Sequence, residues 1–213
     1  MKYSKYYFEY YALLSLIKCF GYKFEDILEE NFERPDWQSE SLDIGIEVVR
    51  AIDNEDGELN SIINKFFNRG LSGRKIQNSV KKQHPKYGHL FKYKQNIAYC
   101  SVPYSYCAEI NKIADKINSK TKKLNKIYKI FKYNWLYIFA DIGLYSDDLA
   151  EIQSLIEIDE NDKQYDKIFI NTTDKILVIN RNAIFEEIEV DSKTRKELKA
   201  ESKKNGAVKK HPE

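Results

Sequence analysis

Three cysteines, four prolines, eight glycines and a single methionine among 213 residues rule out several protein classes. Cys19, Cys100 and Cys107 are odd in number and lack framework spacing, so a disulfide-stapled secreted scaffold is not expected. No apolar run approaches the roughly 18 to 20 residues needed to cross a bilayer. The Tyr- and Lys-rich start, Met1 to Glu9, has no apolar leader segment. A cytoplasmic address with no membrane partner is the expectation. Glycine is too sparse for a phosphate-cradling loop: GLSGRK at 70–75 is short of one and lacks the Ser/Thr that should follow. Three scattered histidines cannot build a Ser-His-Asp triad. His84, His89, Cys100 and Cys107 are zinc-ligand types, but they lack the tight cysteine pair of common structural sites.

What is present is enough for a core. Hydrophobic residues make up 42% and aromatic residues 14%, which argues against disorder. The net charge of +2 conceals segregation. Residues 1–60 carry 6 Lys/Arg against 14 Asp/Glu, whereas residues 72–133 carry 15 against only Glu109 and Asp115. Residues 141–191 are acidic again, and the tail from Ser192 is basic. A basic block between acidic ones suits a polyanion, because phosphate contacts dominate nucleic-acid affinity. The same block also reads as the solvated helix face of a Lys-rich chain.

Helical spacing of Tyr7, Tyr10, Tyr11, Leu14 and Ile17 predicts a first helix over 4–19, stopped by Gly21. Residues 22–31 fit either a strand or a short helix. Pro35 to Ser39 reads as extended, since Pro35 biases its neighbour away from helix. After a turn at Glu40–Asp43, Asp43 to Ala51 alternates cleanly: Ile44, Ile46 and Val48 face one way, Gly45, Glu47 and Val49 the other. An amphipathic helix is expected over 54–68, a basic, aromatic, irregular insertion over 71–102, and a long helix over 104–131. The nearly continuous apolar run Asn134–Ile142 predicts a buried strand. Ser146 and Asp147 cap a further helix, and two strands, Lys167–Asn171 and Lys175–Asn180, form a hairpin. The hydrophobic signal fades after Val190, so 191–213 is expected to be a basic, flexible tail on a single domain spanning 1–190.

Asp36 and Glu47 are separated by ten residues with a turn-like stretch between them, so the two carboxylates can lie side by side on one sheet surface. A charged Glu47 inside a run as apolar as DIGIEVV costs free energy unless it is paired, metal-bound or solvated. Converging carboxylates are what metal-assisted phosphodiester hydrolysis requires, and Mg²⁺ prefers such hard oxygen ligands. An outward-facing Glu on an ordinary strand is the competing reading.

The string Arg34-Pro35-Asp36-Trp37, ten residues, then Ile46-Glu47-Val48 resembles the signature of the PD-(D/E)XK (restriction-endonuclease-like) nuclease superfamily. The resemblance implies an α/β fold with an αβββαβ core over about 5–142. That core carries an inserted helix and basic loop, and a C-terminal extension over 143–190 adds a helix and β-hairpin. It further implies Mg²⁺ or Mn²⁺ held by Asp36, Glu47 and the backbone carbonyl of Val48, with Glu9 on the first helix as an accessory ligand. The partner would be nucleic acid, DNA before RNA, possibly engaged by a homodimer. The signature lysine is missing, because Val49 stands in its place. Some relatives supply the basic group from the neighbouring helix, where this chain offers Lys120 first and Lys122 second. If neither serves, the fold is a non-catalytic binding or interaction module. Arg74, Lys75, Lys81, Lys82, Lys86, Lys92 and Lys94, interleaved with His84, Tyr87, His89, Phe91 and Tyr93, would hold phosphates and stack on unpaired bases.

Overall fold

The computed structural model describes residues 5–29, 35–51, 62, 65–66, 71–100, 106–140, 142–159, 161–172, 174–182 and 184–208. Two compact units emerge, Ile52–Tyr106 together with Met1–Lys2, and Tyr3–Ala51 together with Cys107–Glu213.

The larger unit contains a seven-stranded mixed sheet. Its elements in chain order are α1 (Lys5–Phe20), β1 (Leu28–Glu29), β2 (Trp37–Ser39) and β3 (Ile44–Arg50). The smaller unit then contributes α2 (Gly73–Gln83), β4 (Phe91–Lys94) and β5 (Ile97–Cys100). The larger unit resumes with α3 (Tyr106–Lys126), β6 (Tyr133–Phe139), α4 (Ser146–Ser154), β7 (Lys167–Asn171), β8 (Lys175–Asn180), β9 (Phe185–Glu189) and α5 (Ser192–Val208). Strand order is β1-β2-β3-β6-β7-β8-β9. β1, β2 and β3 pair antiparallel, β3-β6-β7 are parallel, and β7, β8 and β9 return to antiparallel. The predicted α/β class is what the structure shows.

One sheet face is an aromatic-rich core. Ile44, Ile46, Trp135, Tyr137, Phe169, Ile176 and Val178 pack there with Tyr7, Leu13 and Leu16 of α1 and Leu198 of α5. The alternate positions Leu136, Ile138, Ile168, Ile170, Leu177 and Ile179 are also buried, as expected for strands covered on both faces. The polar atom this burial traps is satisfied: the Tyr137 hydroxyl lies 2.7 Å from Ser15 Oγ and accepts a hydrogen bond from Asn171 Nδ2 at 2.8 Å.

The β2–β3 turn is pinned from several sides. Ser39 Oγ donates to Asp26 Oδ1 at 2.6 Å and Ser41 N to Asp26 Oδ2 at 2.8 Å, which holds the Asp26 carboxyl down to about 2. Asp43 adopts φ 51°, the left-handed conformation that a short polar residue tolerates, and its Oδ1 accepts from Lys132 N at 3.0 Å. Gly45 is required next door. A Cβ there would lie 2.6 Å from Phe131 Cδ2 and 3.1 Å from Pro35 Cγ.

Four expectations are revised. The segment after Val190 is not a loose tail. Ser192–Val208 is helical, and Leu198 and Ser202 are fully buried. The insertion is ordered rather than irregular: α2 packs on the β4–β5 hairpin around Ile76, Val80, Tyr87 and Phe91. It forms a compact unit of its own instead of part of one domain. The long helix ends at Lys126, so Ile127 is exposed instead of continuing the apolar stripe. Of the helix expected over 54–68, only Ile62, Lys65 and Phe66 fall within the described residues. All three are helical, and Ile62 and Phe66 join the core of the smaller unit.

Candidate functional site

Antiparallel pairing of Trp37 with Ile46 and of Gln38 with Gly45 carries Asp36 to the position opposite Glu47. Residues so placed share a sheet face, with Cβ atoms about 5 Å apart. A hydrogen bond confirms the approach, since Val48 N donates to Asp36 Oδ2 at 2.8 Å. Both carboxylates are withdrawn from solvent, Asp36 at 7% exposure and Glu47 at 4%. The sequence expectation of two neighbouring acidic groups on adjoining strands therefore holds geometrically.

Charge compensation comes from two helices. Lys120 of α3 makes an ion pair with Glu47 Oε1, and the Tyr128 hydroxyl donates to the same oxygen at 2.9 Å. The backbone carbonyl of Lys120 is in turn held by the Tyr165 hydroxyl at 3.3 Å. Burial raises the Glu47 carboxyl above its ordinary range, and the nearby Asp36 charge adds to this. Lys120 and Tyr128 pull it back.

On the other side Lys5 of α1 lies 3.1 Å from Glu9 Oε1 and 3.1 Å from Asp36 Oδ1, bridging the two acids. Burial works against a charged Lys5, but Asp36 and Glu9 more than offset it and raise its pKa. Glu9 is 3% exposed, and its Oε1 makes no hydrogen bond among the described residues despite the ion pair. Burial, followed by the Asp36 charge, pushes the Glu9 carboxyl up to about 7. Trp37 Nε1 donates to the Glu9 backbone carbonyl at 3.1 Å, which ties α1 to β2 at this level. The predicted set Asp36, Glu47, Glu9 and Lys120 is thus brought together, with Val48 joined through its N–H.

Lys122 is not part of it. It pairs with Glu157 at 2.8 Å with both side chains exposed, and that contact raises its pKa. Sequence reasoning missed Lys5 and Tyr128. Lys5 carried a weak signal, standing one helical turn before Glu9. Tyr128 follows the end of α3 and carried none.

Among the described residues, no three His, Cys, Asp or Glu side chains converge as a ready metal cage. The acids sit instead as ammonium-compensated pairs. Their donors fit a hard divalent cation nonetheless: the oxygens are carboxylate, and one of them, Glu9 Oε1, is buried without a hydrogen bond.

In the smaller unit Arg74, Lys75, Lys81, Lys82, Lys86, Lys92 and Lys94 are all exposed. The β4–β5 register sets Lys92 beside Tyr99 and Lys94 beside Ile97 on the exposed face of the hairpin. Tyr87 and Phe91 are instead buried in that unit's core, so they are not stacking platforms. Cys19 and Cys100 are free thiols. Among the described residues no helix is long and apolar enough to cross a membrane. Comparison with family models, with curated proteins and with solved structures found no match for this chain.

Proposed function

We propose that this chain is a metal-dependent nuclease with a restriction-endonuclease-like core, hydrolysing phosphodiester bonds in nucleic acid, DNA before RNA. The observation that carries the reading is the buried pair Asp36 and Glu47, opposite one another on β2 and β3, with the Lys120 ammonium against Glu47. The order α1, three antiparallel strands, α3 and then β6 parallel to β3 supports it, being the αβββαβ sequence of that core.

Asp36, Glu47 and the Val48 carbonyl would hold Mg²⁺ or Mn²⁺, with Glu9 assisting. The ion would polarise the phosphate and lower the pKa of a bound water. Lys120 supplies the positive charge that Val49 cannot, delivered from α3 and held by Glu47, Tyr128 and, through its backbone, Tyr165. Lys5 balances Asp36 and Glu9 when the cation is absent. The exposed lysines and Arg74 of the smaller unit would grip phosphates without reading sequence, with Tyr99 and Tyr93 available for base stacking.

A second reading has its own observation. Each of the three carboxylates already faces a lysine, which suits a non-catalytic binding module that has exchanged a metal for ammonium groups. Asp36→Asn and Glu47→Gln keep shape and remove charge. Under the nuclease reading each abolishes Mg²⁺- or Mn²⁺-dependent DNA cleavage and the calorimetric signal of metal binding, with tryptophan emission unchanged. Cleavage at parental rates by both variants would overturn the assignment. A parent that gives no metal-dependent heat and still binds DNA would establish the binding module.

A further inference from the structure

On the larger unit, away from the carboxylates, a cavity of about 220 Å³ opens between α3, the 156–165 segment and the strands β7 and β8. Ile117, Ile168, Ile179 and the ring of Tyr165 line it, each almost wholly withdrawn from solvent. Two polar side chains in the lining interrupt this apolar surface. Thr121 is 4% exposed and its Oγ1 makes no hydrogen bond among the described residues, and Gln164 Nε2 is likewise buried and unpartnered. Buried hydroxyl and amide groups are almost always satisfied, because leaving one desolvated and unpaired costs free energy. Two of them in one cavity describe a site whose hydrogen-bond partner comes from outside the protein.

Size and chemistry narrow the occupant. An apolar cavity of roughly 150 Å³ takes up benzene, so the larger volume here suits a fused two-ring molecule. Gln164 Nε2 can only donate, so the guest must present an acceptor, a ring nitrogen or a carbonyl. Thr121 Oγ1 can donate or accept, so the guest can carry an amino or imino hydrogen as well. Asp159 and Asp162 also line the cavity and oppose an anion. The nearby cation Arg181 has Asp166 at 3.7 Å, so a phosphate group gains little there. A saturated chain would leave both polar atoms unpaired, and an ammonium would face the Gln164 donor.

We propose that this cavity is a binding site for an uncharged purine-type nitrogen heterocycle, recognised by Thr121 Oγ1 and Gln164 Nε2 between aliphatic walls. The site is independent of the nuclease reading, and its ligand needs neither the carboxylates nor a metal.

The test is calorimetric titration of the full-length chain, without metal or nucleic acid, with adenine, hypoxanthine, cytosine and adenosine monophosphate. A purine base should bind at one site, with the single-ring cytosine and the anionic nucleotide each at least about tenfold weaker. Thr121→Val is nearly isosteric and removes only the hydroxyl, and Gln164→Leu removes the amide. Each should weaken the purine about tenfold, the value of one hydrogen bond in such a site. Ile179→Phe, which fills the cavity, should abolish binding. Asp36→Asn should bind purine like the parent, which keeps this result separate from any loss of cleavage. The proposal fails if neither purine binds at millimolar concentration. It also fails if folded Thr121→Val and Gln164→Leu bind as tightly as the parent, or if the nucleotide binds more tightly than its base.

Discussion

Replacing Lys120 with methionine removes the ammonium that compensates Glu47 and keeps most of the side-chain volume. Glu47 is 4% exposed, and its remaining hydrogen-bond donor there is Tyr128 at 2.9 Å. Breaking a buried ion pair by deleting one partner costs about 3 to 5 kcal/mol, because the other charge stays desolvated. At about 2 to 4 °C per kcal/mol for a chain of this size, Lys120→Met should melt roughly 6 to 12 °C below the parent at pH 8. The pH dependence is the sharper part. Burial already raises the Glu47 pKa, and Lys120 is among the groups that restrain it. In Lys120→Met the folded pKa climbs further above the unfolded value. Between those two values the native state holds a proton that the unfolded chain has released, so stability falls as pH rises. The loss relative to the parent should therefore be large at pH 8 and shrink at pH 5, where Glu47 becomes neutral. Glu47→Gln/Lys120→Met, with no charge left to strand, should recover most of it. Trp37 and Trp135 both lie in the larger unit, so tryptophan emission during thermal unfolding follows the relevant part. Equal losses at pH 5 and pH 8, or no loss at either, would refute the reasoning.

Glu9, with its carboxyl pushed up to about 7, holds a proton in the folded chain between its ordinary value and pH 7. Native-state protonation makes the parent lose stability from pH 5 to pH 8, and Glu9→Gln should flatten that slope in denaturant titrations across the range. The same titration bears on metal: if Glu9 assists, the apparent Mg²⁺ affinity of the parent rises as pH passes through 7, while that of Glu9→Gln does not. Leu198→Ala in α5 empties a fully buried position and should cost about 2 to 5 kcal/mol, read as a fall in the thermal midpoint. A midpoint within one degree of the parent would return Ser192–Val208 to the status of a loose tail.

How far the fold could be read from sequence depended on whether each element buries itself by hydrophobicity. β3 could, because Ile44, Ile46 and Val48 alternate with Gly45, Glu47 and Val49. β6 could, because both of its faces are buried, and the β7–β8 hairpin likewise. β9 could not: Phe185–Glu189 is largely exposed at the sheet edge, so it is held by backbone pairing to β8 instead of by apolar side chains. α5 failed for a different reason. It meets α1 through small residues, with Ser202 buried and Gly206 so close that a Cβ would sit 3.1 Å from Tyr7 N. Close backbone approach leaves little apolar area in the sequence, and Leu198 alone resembles an accident in a Lys-rich stretch. The β4–β5 hairpin was hidden by a turn that places Gln95 and Asn96 at positive φ without glycine.

The candidate site was legible where strands set it and ambiguous where helices did. Strand register converts an eleven-residue step into a side-by-side pair once the turn is fixed, so Asp36 and Glu47 could be paired on paper. A lysine on a helix obeys a rotation instead. Successive residues turn by about 100°, so Lys120 and Lys122 point roughly 200° apart and only one can face the sheet. The buried stripe Ile110, Ile113, Ile117, Thr121 and Leu124 decides which: Lys120 borders it, three residues past Ile117 and four before Leu124, while Lys122 falls on the far side and finds Glu157. The lost lysine at Val49 and the gained one at Lys120 are then two routes to one location. A side chain two residues beyond Glu47 emerges on the same strand face, and α3 lays Lys120 across that face. Position along the chain is free to change so long as the ammonium arrives beside the same carboxylate.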